Sequence, residues 1–234
     1  MMRVGLMQEE RIFTAALHSF EQCGFQRTSM RRIAEMAGVS VGLPNHYFGS
    51  KDNLGAAALN LLSSHALCAL EQFVRFEDDP IVYDFAITRL NMRYMLETDF
   101  REFYLDSLRL DFFFRHLNHQ PSRLIAALQD TFGFTADPDT AQLYGRYIPY
   151  SVEKTIVLKK EENLFPTISY DEIPWHISYA SMGKFVPEAV LRERDAIARE
   201  YVRRAESVME RYPSPAFIRS FLETNEIRLD AAQF

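Results

Sequence analysis

Apolar residues recur at three- and four-residue steps through most of this chain, and no stretch alternates with period two convincingly enough to predict a strand. From Gln8 to Cys23 the series Ile12, Phe13, Ala16, Leu17 and Phe20 marks one face of an amphipathic helix. Gly24 stops it and Phe25 re-enters the core. Thr28 or Ser29 caps a second helix, with Ile33, Ala34 and Ala37 inside and Arg31, Arg32 and Glu35 outside. Gly38 falls where the helix end needs positive φ, and Val39 seals the turn. Ser40 caps a third helix, which Phe48 anchors, and Ser50 caps a fourth that starts at Lys51.

The same periodicity predicts further helices over 51–73, 81–97 and 99–118, then one opened by Pro121 and stopped at Gly133. Asp137-Pro138 opens another, in which Pro149 predicts a kink or break. Helices over 171–185 and 187–212 follow, and a last one runs from Ser214 or Pro215 to about Asp230. In the 187–212 helix, Leu191, Ala198, Tyr201, Ala205, Val208 and Tyr212 form the inner stripe. That stripe suits either packing on a partner helix or an ordinary core.

Two short helices around Ala37-Gly38-Val39 have the spacing of a helix-turn-helix, whose second helix enters the DNA major groove. A plain three-helix core is the bland alternative. Against it, Ser40, Gly42, Asn45 and His46 are small or polar where a core helix is apolar. Thr28-Ser29 also lies at a helix N-terminus, a natural phosphate site.

The segment from Arg11 to Leu54 resembles the DNA-binding domain of the TetR family of bacterial regulators. The matching residues are Ala15-Ala16, Phe20, Gly24-Phe25, Thr28-Ser29, Ile33-Ala34, Ala37-Gly38-Val39-Ser40, Gly42, His46-Tyr47-Phe48 and Ser50-Lys51. The resemblance implies phosphate contacts from Thr28 and Ser29, and phosphate or base contacts from Arg31 or Arg32. It implies that Ser40 and the groove-facing Val41, Gly42, Leu43 and Asn45 belong to the DNA-binding surface. His46 and Tyr47 would touch the backbone, and Lys51 a flanking phosphate. Two residues depart from the pattern. Pro44 stands where a larger apolar residue is usual and, counted from Ser40, is the fourth helical residue, which predicts a missing bond and a shifted or shortened helix. Asn45 replaces a usual aromatic.

Composition is that of an ordinary globular chain, with 234 residues, 47% hydrophobic and 25% charged. The net charge of −6 is unevenly spread. Residues 1–54 hold six Lys/Arg against five Asp/Glu, so the head is only mildly basic and must rely on placed contacts and dimer avidity. Cys23 and Cys68 make no disulfide framework, and neither a secretory leader nor an 18-residue apolar run is evident, so a cytoplasmic protein with no membrane partner is expected.

Aromatics crowd the later chain. Phe113, Tyr144, Tyr147, Trp175, His176 and Tyr179 are candidate effector-binding residues, although aromatics at helical spacing also serve as plain core. His65 with Cys68, and His116 with His119, share helix faces but lack a third metal ligand nearby. No phosphate loop, serine elbow or paired-carboxylate signature occurs, so neither catalysis nor a cofactor is expected.

The expectation is therefore an all-α chain: a three-helix helix-turn-helix domain over 1–54, then an all-helical effector-binding and dimerisation domain over 55–234. Its partners would be a near-palindromic double-stranded operator, a small-molecule effector and a second copy in a homodimer, and its role that of a repressor released by the effector. The alternatives are a helical small-molecule-binding protein or enzyme whose head no longer works on DNA, and a DNA-bridging structural protein.

Overall fold

The computed structural model describes residues 2–116 and 122–224, with side chains over 7–115 and 122–224. The fold is all-α, with twelve α-helices and no strand among the described residues. Helix α1 (Met2–Cys23) carries Ile12, Phe13, Leu17 and Phe20 inward, all fully enclosed. Gly24 ends it at φ 75°, a left-handed conformation that costs other residues strain.

Helix α2 (Met30–Ala37) is capped by Ser29, whose hydroxyl accepts from the Arg32 N–H. Its far end closes with Gly38 at φ 62°. There Val39 N–H reaches Ala34 O at 3.0 Å and Gly38 N–H reaches Glu35 O at 3.2 Å, a Schellman arrangement. Arg11 on α1 donates to Ala37 O at 2.6 Å and satisfies one more terminal carbonyl.

Helix α3 (Leu43–Phe48) begins later than a Ser40 cap predicts. Ser40 instead supplies its carbonyl to the Leu43 N–H at 3.0 Å, and Gly42 is the capping residue. Pro44 is then in the first turn, where its missing N–H has no intrahelical partner to lose. The helix is shortened, as proline predicts, but by a late start and not by a broken bond.

Helix α4 (Lys51–Leu70) opens on Ser50, whose hydroxyl accepts from the Asn53 N–H. By length and composition it could cross a membrane. Its Leu54, Leu61, Leu62 and Leu70 are fully enclosed by the protein, as in a core helix. Helix α5 (Pro80–Glu97) is capped by Asp79, which accepts from Ile81 and Val82 N–H. Helix α6 (Arg101–Leu110) ends at Asp111, φ 55°, not in the 99–118 run that periodicity predicts; a 3-10 turn, Phe114–His116, follows. The break turns Phe112 inward, where it is fully buried.

Helix α7 (Arg123–Phe132) is capped by Ser122 and stopped by Gly133; Pro121, expected to open it, lies outside the described residues. Helix α8 (Pro138–Gln142) is capped by Asp137 and leads through a π turn (Leu143–Tyr147) into α9 (Ile148–Glu161). The irregularity expected at Pro149 is that π turn, placed just ahead of a proline that then occupies the first turn of α9. Helices α10 (Ile173–Met182), α11 (Glu188–Val208) and α12 (Pro215–Thr224) complete the described chain. The 225–230 end of the last predicted helix lies outside it.

The helices form two compact units. The first holds Met1–His65, Met95–Asn118 and Glu210–Phe234, and the second Ala66–Tyr94 and His119–Met209. This differs from a single cut after residue 54. Aromatic side chains explain the difference: Phe20 on α1 stacks on Phe103 of α6 at 4.6 Å, and Phe13 meets Phe221 of α12 at 6.2 Å. Helices distant in sequence thus complete the core around α1, and each buried phenylalanine contributes about 2–3 kcal/mol.

The second unit is organised around Arg89, whose side chain is 1% exposed. Its guanidinium donates to Asp195 at 2.6 Å and to the Asp171 carboxylate at 3.0 Å, tying α5 to α11 and to the turn before α10. Arg199 bonds the same two carboxylates. The predicted α11 stripe is corrected accordingly. Asp195 and Val202 are buried, whereas Val208 is exposed and Tyr212, beyond the helix, belongs to the first unit.

Candidate nucleic-acid interface

A Schellman turn, a first-turn proline and two enclosed anchors, Pro44 and Phe48, fix the short helix α3 and turn its polar residues outward. Ser40, Val41, Gly42, Asn45 and His46 are exposed, and Leu43 and Tyr47 half-buried. Val41 is 55% exposed, unusual for a β-branched apolar residue at a rigid turn and apt for contact with an apolar group such as a thymine methyl. A Cβ added at Gly42 would meet nothing within 4 Å, so that backbone faces open space. His46 and Tyr47 rings meet edge to face at 5.3 Å, and the Tyr47 hydroxyl donates to Gln8 of α1 at 3.2 Å.

The start of α2 presents a second exposed group: Ser29, Arg31 and Arg32, with Arg27 just before them. Arg31 is held by Glu35 at 2.9 Å, which raises its pKa. Arg27 is the residue that motif reasoning left unassigned; its signal was a cation immediately ahead of a capped helix start.

Two residues expected at this surface sit otherwise. Thr28 is only 2% exposed, and its hydroxyl donates to Gly24 O at 2.8 Å and Ser19 O at 3.2 Å. Its cap role passes to Ser29. The Lys51 ammonium donates to Phe25 O and Thr28 O, each at 3.0 Å, and lies 4.2 Å from the centre of the Phe25 ring. Burial lowers its pKa, against the fields of Asp52 and Asp106.

The aromatic candidates divide. Trp175 stacks on Tyr179 at 5.5 Å and on Phe85 at 5.6 Å, with the Arg192 guanidinium 4.7 Å from its ring centre. Tyr144 meets Phe185 edge-on at 5.1 Å, beneath the Lys184 ammonium. Tyr147 is exposed and His176 half-buried. Phe113 belongs to the first unit, whereas the other five belong to the second. Asp84, on α5 beside Phe85, was missed by sequence: desolvation pushes its carboxyl up to about 6, with the Ser178 hydroxyl opposing.

No group of three or more potential metal ligands occurs among the described residues. His65 is engaged with Glu210 O at 2.8 Å, burial raises the pKa of Cys68, and His119 lies outside the described residues.

The family model for bacterial regulatory proteins of the tetR family matches residues 12–63. An HTH-type transcriptional regulator BetI from Burkholderia cenocepacia (strain HI2424) is 34% identical over 61 residues, 25% of this chain and 31% of the relative. One of the same name from Pseudomonas paraeruginosa (strain DSM 24068 / PA7) is 33% identical over 102 residues, 43% of this chain and 49% of the relative. The chain thus spans from under a third to about half the length of these curated relatives.

Proposed function

We propose that this chain, which belongs to the TetR family through its N-terminal domain, is a sequence-specific transcriptional regulator that works as a homodimeric repressor and is released from its operator by a small molecule. The carrying observation is the strip from Ser40 to Tyr47, in which Ser40, Val41, Gly42, Asn45 and His46 are exposed and Leu43 and Tyr47 half-buried, while Pro44 and Phe48 anchor it from within. In this reading Val41, Leu43 and Asn45 face base edges. Ser29, Arg27, Arg31 and Arg32 take phosphates, and His46 and Tyr47 border the groove. The second unit would bind the effector beside Trp175 and Tyr179, and α11 would take part in dimer contact. A cytoplasmic location, with the chromosome, belongs to the same reading.

Pro44 was the only support for a damaged head. Its first-turn position costs α3 no hydrogen bond, which leaves that alternative without a feature of its own. Selection from random duplexes with the purified chain tests the proposal. The expected product is an inverted repeat with half-sites about 34–36 Å apart. Absence of any enriched sequence, with and without candidate effectors, would overturn it.

A further inference from the structure

Asp84, half-buried on α5, is an acid without a counter-charge in the second unit. No cation pairs with it among the described residues. The arginines of the same region are engaged elsewhere. Arg89, five residues further along α5, turns to Asp171 and Asp195. Arg192 lies over the Trp175 ring and pairs with Glu188. Water does not compensate either, since its loss is what raises this carboxyl above the ordinary range. A charge kept from water without a partner costs stability, so stability does not explain why the acid is there.

The groups that meet this part of α5 share one face of α10. Trp175, Ser178 and Tyr179 stand three and four residues apart, the spacing of neighbours along a helix. The Ser178 hydroxyl, in a residue 1% exposed, is close enough to the Asp84 carboxyl to favour its charged form, yet makes no well-formed hydrogen bond. A buried hydroxyl is rarely left so. Beside the pair the rings form a wall. Phe85, fully buried, stacks on Trp175 at 5.6 Å, and Trp175 stacks on Tyr179 at 5.5 Å. Trp175 is half-buried and Tyr179 is 38% exposed, so the wall runs from the core out to solvent.

An anion would be repelled here, and a neutral ring would cover the wall but leave the acid unpaired. A cation with N–H donors meets every group at once. It gives the carboxylate a charge-assisted hydrogen bond and the Ser178 oxygen a donor. Its positive charge also suits the ring faces.

We infer that Asp84 and Ser178, with the Phe85–Trp175–Tyr179 wall, bind an organic cation that carries N–H donors and an apolar or aromatic body, of the ammonium, amidinium or guanidinium class. This deepens the effector reading above and rests on it for the regulatory role, but not for binding itself.

Trp175 is the chain's single tryptophan, so its emission reports the site directly. The full chain, without DNA, is titrated at pH 7 with phenethylammonium and benzamidinium, and with phenethyl alcohol and phenylacetate as neutral and anionic counterparts. Thermal unfolding of the same mixtures detects binding that leaves the emission unchanged. The cations should give a saturable response and raise the melting temperature. The neutral and anionic compounds should bind about tenfold more weakly or not at all. Asp84→Asn should weaken cation binding roughly 10–100-fold and leave phenethyl alcohol unaffected, and Ser178→Ala should weaken the cations about fivefold. Asp84→Asn removes an unpaired charge and should not destabilise the fold at pH 7, so unfolding would not account for the loss.

Three results would overturn the inference: no response to either cation at millimolar concentration by either readout, equal affinity for phenethyl alcohol, or undiminished cation binding by Asp84→Asn. A cation that binds through Asp84 but leaves duplex affinity unchanged would uphold the inference and count against release by an effector. A chain that ignores both cations but leaves its duplex for some other small molecule would overturn the inference and leave that reading standing.

Discussion

The two units bury charge in different ways. In the first, Asp106 and Lys51 serve one turn: Asp106 accepts from the backbone and side-chain amides of Gln26, with Arg109 behind it, and Lys51 donates to two backbone carbonyls. In the second, Arg89 donates to two carboxylates, which Arg199 also grips, and to one backbone carbonyl, that of Asp171. A charge aimed at backbone fixes the path of one loop and leaves helices free to contribute by apolar packing. A charge aimed at other charges ties whole helices together and makes each partner depend on the others. The first arrangement suits a small head that must present a surface in one orientation. The second suits a helical body whose elements must share one arrangement or change it together.

The sharpest way to break this contrast is at Arg89. Replacing it with Met leaves Asp195 buried beside an apolar chain and removes one of its two cationic partners. We expect a loss of about 3–5 kcal/mol, read by denaturant or thermal unfolding. Arg89→Met with Asp195→Leu should recover most of it, because the stranded charge is gone. If the double variant were as unstable as the single one, the network would be structural glue beyond its charge balance.

Asp84 is the next largest effect, and it gives the second unit a pH dependence. Burial raises its carboxyl from the ordinary 3.8 to about 6, so the folded chain holds this proton more tightly than the unfolded chain does. Its stabilising contribution is complete below about pH 4 and is lost as pH rises through about 6. A rise of that size corresponds to roughly 3 kcal/mol. Asp84→Asn should therefore be the more stable protein at pH 7, with the advantage shrinking toward pH 4. An advantage that did not vary with pH would place the effect in packing and not in titration.

How much of this could be read beforehand follows the same division. The head was legible because its signals are local: Ser29 three residues before Arg32, Gly38 at a helix end and Phe48 before Gly49 lie within a few positions of what they act on. The start of α3 was misread by two residues because Ser40 has cap chemistry, and only its backbone geometry shows that its carbonyl, not its hydroxyl, is used. The burial of the Thr28 hydroxyl was hidden for a similar reason, since a hydroxyl beside a cap looks the same in sequence whether it faces water or Ser19 O. Asp195 and Asp106 were invisible because a lone carboxylate on a helix resembles a solvated one. What marks them is a partner 106 residues away for Asp195 and 80 residues away for Asp106.

Asn45 tests the exposed part of the head, where no buried charge intervenes. Its amide can pair with adenine along two bonds, so Asn45→Ala should cost about 1–3 kcal/mol at one base position and leave the others unchanged. A loss spread evenly over all bases would move Asn45 to a backbone role. Compared with Lys51→Met, which should weaken every sequence alike, it separates base reading from sequence-independent contributions inside one unit.

The smallest effect is expected where charge stays wet. Arg219 on α12 makes a two-bond pair with Glu10 on α1, each bond 3.0 Å, with the arginine side chain 56% exposed. Beside it Phe221, 5% exposed, packs on Phe13. The geometry of the ion pair is good, but water and salt screen it, and two long side chains lose freedom in making it. The ring loses only apolar surface to water. Phe221→Ala should therefore lower the melting temperature clearly, as removal of a buried phenylalanine costs about 3–5 kcal/mol. Arg219→Ala should scarcely move it, and less still at high salt. Equal effects from the two variants would mean that α12 is held to α1 by charge after all. The contrast between wet and buried pairs would then fail as a guide to which contacts hold this unit together.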